Sequence, residues 1–67
     1  MNWDQIAGNW LELKGKVKAK WGKLTDDDLT TIGGKKDQLA GILQQKYGFA
    51  KEQAETELDA FTSSLKA

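Results

Sequence analysis

The side chains in this sequence that could do chemistry are carboxylates, lysines and aromatic rings, and they come in runs. The densest run is Asp26-Asp27-Asp28. A hard cation needs oxygen ligands spread around it, and calcium loops take them from alternate positions with a glycine to turn the chain. Consecutive helical residues point about 100° apart, so these three carboxylates do not converge on one ion. At a helix start they face the positive end of the dipole, which is the reading adopted. Glu52, Glu55 and Asp59 share a helix face, but nothing supplies a nucleophile or a pocket to tune them. They read as a solvated face.

Seven glycines suggest phosphate loops, yet neither the Walker nor the Rossmann spacing is present and no strand precedes any of them. Histidine and cysteine are absent, which removes the usual proton shuttle, the commonest metal ligand and thiolate chemistry. The expectation is a non-enzymatic protein with no catalytic residue, no cofactor and no metal. Trp3, Trp10 and Trp21 beside Lys14, Lys16, Lys18, Lys20 and Lys23 pose the sharper alternative. Rings with lysines stack bases or seat a helix at a membrane surface. The tryptophans share a helical stripe with Ile6, Leu13 and Val17, however, so they read as the large pieces of a small core.

The elements that hold these residues are legible from spacing. Apolar residues at Trp3, Ile6, Trp10, Leu13, Val17 and Trp21 step by three or four, one stripe of a helix over 3–21. Asn2 is its expected N-cap, although Gly8 weakens the entry and the firm helix is expected from about Asn9. Gly22 is expected to close this helix in the left-handed conformation. Thr25 then caps a second helix over 26–32: its hydroxyl accepts from Asp27 or Asp28, and the Asp28 carboxylate reaches back to the Thr25 amide. Leu24 and Leu29 flank the cap as a hydrophobic staple. Gly33-Gly34 breaks the chain before a third helix over 35–47, which Gly48 ends. A fourth helix runs over 51–64, and the tail from Ser63 is expected to fray.

The expected fold is therefore all-α, a four-helix bundle of two packed hairpins. Its core is expected to hold Trp10, Leu13, Val17, Trp21, Leu29, Ile32, Leu39, Leu43, Tyr47, Leu58 and Phe61. A shift of 26 residues lays Gly8, Gly15 and Gly22 on Gly34, Gly41 and Gly48, and Trp21 on Tyr47. The chain thus reads as a duplicated helical hairpin. Gly8, Gly15 and Gly41 are not accounted for as stops or turns; the expectation is that they allow close helix approach or simply keep the helices marginal.

Sixty-seven residues are expected to make one domain, 1–67, which buries only about 60% of its unfolded surface. No long apolar run is present, so neither a transmembrane helix nor a signal-peptide core is expected. Ten lysines balance ten acids. The signs alternate along the chain: +3 over 1–23, −3 over 24–34, +3 over 35–51 and −3 over 52–67. Neighbouring helices are expected to neutralise one another, with the first helix's lysines near Asp26–Asp28 and the acidic fourth helix. Neither nucleic acid nor a membrane is expected as a partner.

Gly8-Asn9-Trp10, Lys14-Gly15-Lys16-Val17-Lys18 and the stretch from Trp21 to Asp28 resemble the CsbD-like family of small bacterial proteins. Gly34–Leu39, Tyr47-Gly48 and Gln53-Ala54-Glu55 resemble its second half. The resemblance implies a cytoplasmic protein of the general stress response with no established biochemical activity. It also implies two crossed hairpins in a SAM-domain-like arrangement, and it brings no catalytic residues. Two functional expectations follow: a helical module that docks a partner or another copy of itself, or a hydrophilic, glycine-rich protectant accumulated under stress.

Overall fold

The computed structural model describes residues 2–65. Among them the chain is all-helical, with five helices: α1 (Trp3–Gly8), α2 (Trp10–Lys20), α3 (Asp26–Ile32), α4 (Lys36–Tyr47) and α5 (Lys51–Ser64). The radius of gyration is 10.8 Å, against about 10.9 Å for a compact chain of this length. The helices therefore close on one core. α4 packs along α5 and against α3.

The single first helix expected over 3–21 is two. It breaks at Asn9, whose φ of −109° and ψ of 23° lie outside the helical basin. The asparagine covers the break itself. Its amide hydrogen-bonds Gln5 O and Ile6 O, its Nδ2 donates to Gln5 O at 3.0 Å, and its carbonyl accepts from Glu12 and Leu13. The preceding glycine supplies little helical preference to oppose the bend. On either side of it both Ile6 and Trp10 reach the core, 0% and 7% exposed. The Trp10 indole then donates to Leu29 O at 2.8 Å, pinning the elbow to α3. Asn2 caps α1 as expected, in a reciprocal box with Gln5: 2.8 Å from the Gln5 amide and 3.0 Å back to the Asn2 amide.

Gly22 is a second correction. It has no positive φ; α2 ends at Lys20, and Trp21 with φ −123° and ψ 81° is the cap. A bond from the Leu24 amide to Trp21 O then closes the turn. Burying Trp21 to 2% exposure fixes the chain's exit there, so the left-handed stop is not needed. Gly33 and Gly48 do cap in the left-handed region, at φ 56° and 70°. Gly34 is left-handed as well, at φ 84°, and it is buried. A Cβ there would lie 2.5 Å from the Ala7 Cα, so α1 rests directly on this turn.

The core holds ten of the eleven expected residues and adds Ile6, Leu24 and Ala54. Tyr47 is only half-buried, for a reason given below. Ser63 and Ser64, where the expected tail begins, form the last turn of α5, with the Ser64 hydroxyl donating to Phe61 O. Lys66 and Ala67, also within the expected tail, lie outside the described residues.

Candidate functional site

The run from Leu24 to Leu29 is built as its spacing requires. Thr25 Oγ1 accepts from the Asp28 amide at 3.1 Å, and Asp28 Oδ2 accepts from the Thr25 amide at 2.9 Å. Leu24 and Leu29 on either side are 1% and 2% exposed. Asp28 is then claimed a second time, from the far end of α4. Lys46 forms an ion pair with its carboxylate and also reaches Lys23 O at 3.4 Å. The next residue, Tyr47, takes the Lys23 amide on its hydroxyl at 3.1 Å, while the Lys23 ammonium stands 5.1 Å from the ring centre. That polar use of the hydroxyl explains why Tyr47 stays half-buried.

The cluster thus ties the α2–α3 turn to the last turn of α4. Lys46, above all, holds the Asp28 carboxyl below its ordinary value, and the Thr25 backbone adds to this while partial burial opposes it. A carboxylate so committed is a poor proton acceptor. Asp26 and Asp27 are exposed, and Asp26 meets Lys18 at 3.0 Å. Among the described residues no group of three acidic side chains gathers as a metal set.

Neutralisation between helices is thinner than the charge pattern suggested. Lys18–Asp26 and Lys46–Asp28 are the ion pairs among the described residues, and no acid of α5 takes part in either. Of the tryptophans, Trp10 and Trp21 are buried and Trp3 is partly buried against the core. Trp21 lies against Phe61 with ring centres 5.3 Å apart, and its Nε1 has no hydrogen-bond partner. No described helix is long and apolar enough to cross a membrane.

What the apolar stripe left unused is Leu11. It is 85% exposed, the one large apolar side chain in that state among the described residues. It stands on α2 beside an open groove of about 410 Å³ lined by Ala7, Gly8, Asn9, Trp10, Leu11 and Glu12. Gly8 and Gly15 flank it, and a Cβ at either would meet nothing within 4 Å. Gly41 is equally open, so close approach of neighbouring helices explains none of the three. The available signal was a leucine falling off the stripe between two glycines. For Lys46 there was none, since it is one of ten similar lysines.

A model of the CsbD-like family matches residues 4–56. The chain belongs to that family. It is 59% identical over 61 residues to the UPF0337 protein YjbJ of Escherichia coli strain CFT073, covering 91% of this chain and 88% of that one. The UPF0337 protein ECA0631 of Pectobacterium atrosepticum is 62% identical over 58 residues, 87% of this chain and 84% of the relative. UPF0337 protein pc0632 of Protochlamydia amoebophila is 59% identical over 61 residues, 91% and 92% of the two chains. All three come from bacteria, and none of the names states an activity.

Proposed function

We propose that this CsbD-like chain is a non-enzymatic interaction module of the bacterial cytoplasm, acting in the stress response by docking a protein partner on the α1–α2 elbow. The observation that carries the reading is Leu11, 85% exposed beside an open groove and between two unobstructed glycines. An exposed apolar side chain flanked by bare backbone is what a partner helix packs against. The two-hairpin, SAM-domain-like arrangement belongs to the same reading, supported by α4 lying along α5.

The other classes have less behind them. Base stacking and membrane seating need rings that are buried here at Trp10 and Trp21. A protectant that works by bulk composition has no use for a specific exposed leucine. The test places a photoreactive residue at position 11 in stressed bacterial cells, with exposed Thr30 as control. A discrete adduct from position 11 and none from Thr30 supports the reading. Equal, diffuse labelling from both sites, or none from either, defeats it and favours the protectant.

A further inference from the structure

We propose that α1 is a flap, opening from the core as one unit about Asn9 while α2–α5 stay folded. This motion is independent of what docks on the elbow and goes beyond the interaction-module reading. Among the described residues, every side-chain hydrogen bond made by residues 2–9 stays inside α1 and its two caps. Neither ion pair involves α1. The polar ties between elements all involve residues from Trp10 onward: its indole on Leu29 O, Lys18 on Asp26, Tyr47 on Lys23 and Lys46 on Asp28. Packing alone holds α1, through Ile6 at 0% exposure, Trp3 partly buried, and the Ala7 backbone seated on Gly34. An open groove of about 460 Å³ already follows the seam, with Trp3, Asp4 and Ala7 on one side and residues 34–38 on the other.

The hinge is one residue. The bonds that end α1 fall on the Asn9 nitrogens, which donate to Gln5 O and Ile6 O. Those that start α2 fall on its carbonyl, which accepts from Glu12 and Leu13. The φ and ψ of Asn9 lie between the two sets and already outside the helical basin. Turning them separates the helices without breaking either set.

Opening stops where the polar ties begin. Trp10 is buried and its indole holds Leu29 O, so the chain beyond the hinge stays in place. Once off the core, α1 has six residues, too few to persist as a helix in water, so it melts as it leaves. Ile6 and Trp3 then meet solvent at less cost than in global unfolding, because most of the core is undisturbed. The fold thereby exposes apolar side chains reversibly while α2–α5 remain packed.

Native-state hydrogen exchange of the full chain, followed by NMR at several urea concentrations below the unfolding transition, tests this. The amides of Ile6 to Asn9, which the bonds of α1 protect, should share one protection factor with a shallow urea dependence. It should lie about ten-fold or more below that of Val17 and Leu43. The Trp10 indole proton should exchange with the core and not with α1. Thr25→Ala removes a cap that is present whether α1 is open or closed. It should speed the core amides about five-fold and leave those of α1 unchanged. Gly34→Ala creates a clash that opening relieves, so it should speed the α1 amides about ten-fold or more. Gly33→Ala, whose strain persists on opening, should not. Protection equal to that of the core, or a gradient rising from Ile6 to Asn9 as in end fraying, overturns the flap. So do a Trp10 indole that opens with α1, α1 amides that follow Thr25→Ala, or equal effects of the two glycine variants.

Discussion

Gly34→Ala is the most informative single change in this fold. The glycine sits at φ 84°, and its would-be Cβ lies 2.5 Å from the Ala7 Cα, 3.0 Å from the Ala7 nitrogen and 3.1 Å from the Ala7 Cβ. Two costs add. Holding an alanine in the left-handed region costs about 1–2 kcal/mol. The contact is with backbone, so no flexible side chain can yield; forcing a methyl group into it costs a further 1–3 kcal/mol or so. The sum, about 2–5 kcal/mol, is a large part of the roughly 3–10 kcal/mol expected for a domain this size. Gly33→Ala is the internal control. Its φ is 56°, but its Cβ would meet only Thr30 O, at an ordinary 3.8 Å. It should lose the conformational cost alone. Urea unfolding followed by tryptophan emission and circular dichroism measures both. If Gly34→Ala falls within about 0.5 kcal/mol of Gly33→Ala, α1 does not rest on this turn and the steric argument is wrong.

Gly15→Ala and Gly41→Ala should each stabilise by about 0.5–1 kcal/mol, since both are helical, exposed and unobstructed; thermal melts raised by several degrees would show it. Thr25→Ala should cost about 1 kcal/mol through loss of the cap, read from the same urea curves. The Asp28 carboxyl is lowered from 3.8 in the folded chain, so its contribution is present above that value and disappears as pH falls through the folded pKa. Lys46→Met should shrink this acid-side loss below pH 4 or so, and identical pH dependence in the two proteins would remove Lys46 as its cause. Trp10→Phe removes the buried indole bond to Leu29 O, which keeps only the Gly33 amide, and should cost more than Trp21→Phe, which removes an indole N–H that has no partner; denaturation midpoints compare them. Duplex DNA and anionic vesicles should leave the tryptophan emission unshifted near physiological salt, because the chain is neutral overall and two of its rings are buried.

The sequence by itself determined what is settled within one turn of chain. The Thr25–Asp28 box, the Asn2 cap and the stops at Gly33 and Gly48 all follow from contacts three or four residues apart, which any local copy of the sequence would make. The apolar stripes likewise place Leu13, Val17, Leu39, Leu43 and Leu58 inside, because period alone sorts buried from exposed positions. The 26-residue repeat was legible too, yet its members do different work. Gly22 has no positive φ where Gly48 does, and Gly8 is open where Gly34 lies against Ala7. Trp21 is sunk in the core where Tyr47 keeps its hydroxyl for Lys23. Identical residues at equivalent positions carry no information about which helix crosses them. The reach of Lys46 to Asp28 and the exposure of Leu11 are set by contacts between elements distant in sequence or by their absence. No spacing rule spans such distances, and only the packed chain decides them.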